Sequence, residues 1–369
     1  MKAIITALFL FVNAATYAQN NASVNLQQII DTFIVNNKIP AIAVAVVQLD
    51  TVMYAVSGVN STVNGTPIST TAKFHLGSNS KAFTSFMAAK LVEEGKLTWT
   101  TQLVDVMPEL KSTIQPKFQH ITLEQLLSHT AGIKPFTNEK EYHELLDFEK
   151  NIKNISERQF LIAKHTLAND TLLTVGQFKY SNMGYLIAAL MLERIANKSW
   201  AEQLKETIKQ NNLGSAFIGF PNKETATNPW GHSTNDSDTL QTQSPTFDYD
   251  LSIIAPAGNI SMNIKDYSKF IQLNLQGLCG SDNYLKSDSY QTLHYGKKAY
   301  SLGWMNGKNP VAGAVNTHDG SAGNFYAHTM IFKEKKMAII VLANASSPSI
   351  DKAVVQMRRY LFNLYGVVK

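Results

Sequence analysis

Ser78 stands three residues before Lys81 in Gly77-Ser78-Asn79-Ser80-Lys81, at the head of an apolar run. A serine hydroxyl is a poor nucleophile until a base takes its proton. Residues three apart on a helix share a face, so the lysine amine falls beside the serine oxygen. Burial in an apolar helix lowers a lysine pKa toward that of a usable base. The free amides of a helix N-terminus add a favourable field where negative charge develops during attack on a carbonyl. Many surface helices also start with such a pair, so the reading needs support from elsewhere in the chain.

Two further stretches supply it. Tyr180-Ser181-Asn182 opens a second apolar run. A tyrosine near cationic Lys81 would lose its proton more easily than a free phenol and pass it between nucleophile and leaving group. The Asn182 amide has donors and an acceptor for both the lysine amine and a substrate carbonyl. The alternative is a helix cap, with Ser181 or Asn182 capping and Tyr180 packed. His318-Asp319-Gly320-Ser321 follows an apolar run at 312–317. Gly320 would leave room for a substrate backbone, and His318 would set polarity beside the base. The Ser321 amide would share an oxyanion with the Ser78 amide. The alternative is a β-turn, because Asp-Gly is a common turn dipeptide.

These residues need elements to hold them. Apolar spacing predicts a helix over 24–37 and a hairpin of strands at 41–49 and 52–58. The run 80–94 is apolar almost all round, which marks a central, buried helix stopped by Gly95. Thr122-Leu123-Glu124-Gln125 is a capping-box pattern opening a short helix through Leu127. Helices are expected over 183–196 and 200–210, and a long polar, irregular excursion over 221–252. Strands are expected at 299–305, 312–317, 324–332 and 336–342, then a closing amphipathic helix at 350–365. The expected fold is α+β, an α/β sandwich. An antiparallel sheet built from both chain ends (about 19–70 and 290–369) carries terminal helices. A mainly helical region (about 71–289) is inserted, and the site lies at their interface.

Composition bounds the function. Of 369 residues 44% are hydrophobic and 17% charged, ordinary for a globular protein with a sizeable core. The net charge of +5 is mild and its lysines and arginines are scattered, which argues against nucleic-acid binding. Met1-Lys2, an apolar run over 3–12 and Thr16-Tyr17-Ala18 read as a signal peptide cut after Ala18, leaving a secreted, periplasmic chain from Gln19. No other run is long and apolar enough to be a membrane helix. The single cysteine, Cys279, allows no internal disulfide and reads as structural. The nine histidines are dispersed and no His-Glu-x-x-His pattern occurs, so no metal site is expected.

Together, Ser78-x-x-Lys81, Tyr180-Ser181-Asn182 and His318-x-Gly320 resemble the serine β-lactamase and penicillin-binding-protein family. The likeness is to its class C β-lactamase-like branch, with its D,D-peptidases, D-aminopeptidases and esterases. Leu126-Leu127-Ser128-His129-Thr130-Ala131-Gly132-Ile133, Pro256-Ala257-Gly258 and Ser301-Leu302-Gly303-Trp304 resemble accessory stretches of the same branch. The resemblance implies an acyl-enzyme on Ser78, proton handling by Lys81 and Tyr180 with either as general base, and no cofactor. It implies a structural His129 in a tight turn. It also implies a small-molecule or peptidoglycan-derived substrate. A class C-type β-lactamase, a D,D-carboxypeptidase and a non-catalytic penicillin-binding module are the alternatives. The third motif departs from the β-lactamase pattern, with His318 for lysine and Asp319 for threonine. An Asp319 facing the cleft would repel a substrate carboxylate; one facing away would not.

Overall fold

The structure, a computed structural model, describes residues 25–63, 65–170, 174–234, 240–242 and 250–366. The expected signal segment and its cut after Ala18 lie outside the described residues. Helix α1 (Leu26–Asn37) begins at Asn25, whose side chain accepts from the Gln27 amide. Strands β1 (Ala41–Gln48) and β2 (Val52–Gly58) form the expected hairpin. β3 (Lys73–His75) leads through a tight turn at Gly77–Asn79 into α2 (Ser80–Glu93). The middle holds α3 (Leu123–Leu127), α4 (Glu139–Asp147), α5 (Ile155–Asn169) and α6 (Asn182–Ala196). The Thr122 capping box forms as expected. Asn138 and Asn154 cap α4 and α5 by accepting from the Glu141 and Glu157 amides, signals that the apolar spacing alone does not show.

β4 (Phe217–Ile218) and β3 flank β5 (Ile260–Asn263) in a small sheet, and α7 (Ile264–Leu278) follows directly. The chain closes with β6 (Met305–Asn309), β7 (Gly313–Ala322), β8 (Phe325–Phe332), β9 (Met337–Ala343) and α8 (Pro348–Tyr365). The main sheet has the order β2-β1-β9-β8-β7-β6, all antiparallel, so both chain ends build it. β1 is buried on both faces. Ile42, Val44 and Val46 pack with Val341 and α8 residues such as Val354. Ala43, Ala45 and Val47 face the helical core with Phe270 of α7. Each fully buried valine or isoleucine contributes about 1.5–3 kcal/mol.

Two expected strands differ in extent. Of the expected strand at 299–305 only Met305 lies in a strand, as the first residue of β6. Ala299 and Gly303 have positive φ (66° and 87°), and the Ser301 amide bonds the Trp304 carbonyl. Tyr300, Leu302 and Trp304 alternate with the small Ser301 and Gly303, which mimics a strand pattern, although all five residues are buried. β7 instead runs on through the whole His318–Ser321 motif, so Asp319-Gly320 is not a turn. The turn falls at Gly323-Asn324, both with positive φ, the backbone that tight hairpins require. Cys279 is half-buried, and burial pushes its thiol up. The excursion at 221–252 contains a helical turn, Pro221–Glu224, and paired strands His232–Thr234 and Leu240–Thr242.

Candidate active site

The turn before α2 is pinned from three sides. Gly77 has φ 51°, and its amide donates to His75 Nδ1 at 3.1 Å. His75 Nε2 in turn meets Asn259 Oδ1 at 3.1 Å. Asn79 Nδ2 donates to the carbonyls of Leu76 and Ala327, and its Oδ1 accepts from Tyr267 at 3.0 Å. Ser78 is therefore presented on a fixed loop at the head of a buried helix.

Lys81 is fully buried. Its Nζ lies 3.2 Å from Ser78 Oγ, 2.7 Å from Asn182 Oδ1 and 2.8 Å from the Ala257 carbonyl. The Asn182 amide cannot turn freely, because its Nδ2 donates to the Phe136 carbonyl at 2.9 Å. The rings of Tyr180 and Tyr185 lie 4.7 and 5.4 Å from Nζ. Burial nonetheless holds the Lys81 amine well below its ordinary value. A neutral amine has two N–H donors and one lone pair. Two partners, Asn182 Oδ1 and the Ala257 carbonyl, are pure acceptors, so in its neutral form the amine can keep its lone pair for the Ser78 hydroxyl proton.

Tyr180 is hydrogen-bonded to Ser78. The expected acidification of its phenol does not occur. Burial pushes it up, and the Ser78 bond only partly opposes this. The cap reading of the same stretch also holds: Ser181 Oγ accepts from the Gly184 amide and starts α6. A strap at 134–136 binds this corner through three carbonyls. Lys134 O takes Ser181 Oγ, Pro135 O takes the Asn182 amide, and Phe136 O takes Asn182 Nδ2.

β7 closes the opposite wall. β6 pairs with it only as far as Thr317, so His318 to Ala322 present an open edge toward the Ser78 turn. A side chain on Gly320 would sit 2.0 Å from the Leu76 carbonyl and 2.8 Å from the Ser78 amide. The space that Gly320 leaves is thus filled by the Ser78 turn, not by a substrate backbone. A side chain on Gly77 would lie 2.7 Å from the Ser321 amide, so the Ser78 and Ser321 amides are neighbours. His318 is buried, with Nδ1 2.7 Å from the Asp319 carbonyl and Nε2 3.0 Å from the Tyr300 hydroxyl. Nδ1 therefore carries the proton. Burial and then Lys81 bring its pKa down to about 4, so it is neutral near pH 7.

Asp319 points the other way. It pairs with His328 on the outer face of the sheet, where Arg358 of α8 donates to His328 Nε2 at 3.3 Å. Burial works to raise its carboxyl, and the His328 contacts outweigh that and hold it below the ordinary range. Asp319 thus does not face the Ser78 turn. The cleft in front of Ser78, about 680 Å³, is walled by Tyr180, Asn182, Phe178, Glu141, Leu251 and Ser321 among others.

Burial depresses several histidines in this fold, among them His75 and His318 to about 4 and His294 to about 3. The unfolded chain takes up these protons at the ordinary value of 6.5. Each unit of depression weighs about 1.4 kcal/mol. The stability they contribute is full above pH 6.5 and falls as pH drops toward 4. Thermal unfolding should therefore show a Tm that declines between pH 7 and 5; a flat Tm over that interval would contradict the assignment.

Sequence reasoning left out several of these supports. The Ala257 carbonyl, His75, Asn79 with Tyr267, and Tyr300 have no outward mark of function. Ala257 lies within the Pro256-Ala257-Gly258 stretch, and His75, Asn79 and Tyr300 lie within or beside a motif, whereas Tyr267 carries no such signal.

The architecture and the Ser78–Lys81–Tyr180 corner define the class. The β-lactamase family model matches residues 26–360, and the chain belongs to that family. Among curated relatives it is similar to protein flp of Staphylococcus aureus strain N315, 22% identical over 94% of this chain and 68% of the relative. A β-lactamase of Providencia stuartii is 20% identical over 79% of this chain and 78% of the relative. Among solved structures it superposes on a β-lactamase/D-alanine carboxypeptidase from Pseudomonas syringae (TM-score 0.71, 19% identity, 91% of this chain and 97% of that one). An octameric penicillin-binding protein homologue from Pyrococcus abyssi gives the same TM-score and identity over 90% of this chain and 76% of that one.

Proposed function

We propose that this chain is an exported serine hydrolase that acts through an acyl-enzyme on Ser78. Its substrate is an ester, an amide or a D-amino-acid peptide. The observation that carries the reading is the Lys81 amine, seated between two fixed acceptors with its third position on Ser78 Oγ. Lys81 takes the Ser78 proton as Oγ attacks the carbonyl, a step for which a positioned base contributes about 10²–10⁴-fold. The Ser78 and Ser321 amides receive the oxyanion, each donor adding about 10²–10³-fold. Tyr180, protonated at rest, gives its proton to the leaving group and regains one from Lys81. Water then cleaves the acyl ester with the roles reversed.

In this reading one hydrolase domain spans 19–369 after removal of the segment 1–18, with sheet and helical subdomains meeting at Ser78. Among the described residues no helix is long and apolar enough to cross a membrane.

The third motif bears on substrate choice. A lysine at position 318 would offer a cation to a substrate carboxylate, whereas neutral His318 does not. Glu141 adds a carboxylate to the cleft wall. Both favour neutral or amine-bearing substrates over penicillins. A short-chain nitrophenyl ester and a D-alanyl amide should be turned over faster than a chromogenic cephalosporin. Cephalosporin hydrolysis that outruns both would overturn the preference and favour the class C-type β-lactamase alternative.

A further inference from the structure

We infer that His129 is a positioning residue for Tyr180, clamping it from both sides along the chain. This rests on the role proposed for Tyr180 above and goes beyond the structural turn that the sequence implies for His129.

The clamp has three contacts. The His129 carbonyl accepts from the Lys179 amide at 2.8 Å, one residue before Tyr180. Its Nδ1 accepts from the Ser181 amide at 3.1 Å, one residue after. Its ring lies 4.2 Å from the Tyr180 ring, centroid to centroid. A φ of 61° at His129 accompanies this arrangement, a left-handed backbone that histidine and asparagine tolerate better than most residues. The next residue extends the tie, since the Thr130 carbonyl accepts from the Gly176 amide at 2.8 Å.

The chemistry of the ring fits the task. An acceptor at Nδ1 places the single proton on Nε2. Nε2 is buried with no hydrogen-bond partner among the described residues, beside the rings of Tyr180, Tyr185 and Tyr300. A buried imidazole usually satisfies both nitrogens. Here one is given up to the aromatic wall while the other holds the backbone of the Tyr180 loop. A phenylalanine would keep the packing and lose the acceptor. An asparagine would keep an acceptor at the same bond distance from the backbone and the tolerance for positive φ, while losing the ring contact. Burial first, and then Lys81 and His318, the charged or titratable groups nearest the ring besides the tyrosines, disfavour a cationic His129. The clamp therefore stays in its accepting form near neutral pH.

The test compares His129→Gly and His129→Asn with wild type, measuring the rate of acyl-adduct formation on Ser78 per folded molecule. A displacement of about 1 Å in a reacting group costs about 100-fold. His129→Gly should lower kcat about 100-fold with KM changed less than about threefold, and His129→Asn should recover to within about tenfold of wild type. In a Tyr180→Phe background both substitutions should cost less than about twofold, because the group they position is gone. The Ser181 amide, followed by hydrogen exchange, should lose protection in His129→Gly and keep it in His129→Asn, whether or not any substrate turns over. Wild-type rates in His129→Gly, or losses that add fully to Tyr180→Phe, overturn the inference and leave the acyl-enzyme standing. If His129→Gly does not fold, the His129→Asn and Tyr180→Phe pair decides by the same criterion. A wild-type protein that never labels at Ser78, while its Ser181 amide is protected as described, removes the catalytic reading and with it the positioning role.

Discussion

Lys81→Met should lower acylation of Ser78 by about three orders of magnitude or more while leaving a folded protein. Methionine matches the length and volume of the lysine stem, so α2 keeps its packing. What disappears is the amine 3.2 Å from Ser78 Oγ, together with its hydrogen bonds to Asn182 and Ala257. The rate loss joins the general-base contribution, about 10²–10⁴-fold, to the loosening of Asn182. Stability should change little. Two buried acceptors lose their donor, at about 1–3 kcal/mol each, and a costly buried amine is removed. The pH profile follows with a definite sign. Burial depresses the Lys81 amine, and only its neutral form accepts the proton. Acylation by the wild type therefore falls as pH drops through the depressed value, and this acid limb vanishes in the residual activity of Lys81→Met. Single-turnover acylation rates across pH check both; a Lys81→Met rate within about tenfold of wild type would remove Lys81 from the chemistry.

Gly320→Ala should cripple the site with a single methyl group. The added carbon would stand 2.0 Å from the Leu76 carbonyl and 2.8 Å from the Ser78 amide, both backbone atoms of a turn pinned by His75 and Asn79. Neither wall can yield by rotating a side chain. The turn must move by about 1 Å or more, which carries the Ser78 amide and hydroxyl with it and costs about 100-fold or more in kcat/KM. Overpacking of this kind adds about 1–3 kcal/mol of destabilisation. Gly214→Ala is the control, since nothing lies within 4 Å of its added carbon. It should match wild type in both rate and Tm. Equal activity in the two variants would mean that β7 and the Ser78 turn are not in the contact described.

Much of this arrangement is legible in the amino-acid sequence because it is written in side chains and periodicity. The central helix declares itself by apolar residues on all faces, and the capping box at Thr122 by its spacing. The order of Ser78, Lys81, Tyr180, Asn182, His318 and Gly320 points to one site. What stays hidden is written in the backbone. The Ala257 and Pro135 carbonyls carry no residue-type signal, because any amino acid supplies one. The direction of Asp319 depends on strand parity through His318 to Ser321, and the apolar run that marks this strand in the sequence stops at Thr317, before the polar motif through which the strand continues. Residues 299–304 fail for a different reason: large apolar residues alternating with Ser301 and Gly303 imitate a strand, and the positive φ at Ala299 is invisible in its side chain. The acidity of Tyr180 is set by its own burial, which raises it, and depth of burial is not legible in Tyr180-Ser181-Asn182.

The central claim is that Ser78 becomes covalently acylated. Incubation with a slowly hydrolysed ester or β-lactam, acid quenching and peptide mass analysis test it most directly. The peptide holding Ser78 should gain the mass of the acyl group within one turnover, and Ser78→Ala should gain none and lose turnover. Turnover that persists in Ser78→Ala, or an adduct on any other residue, would contradict the account.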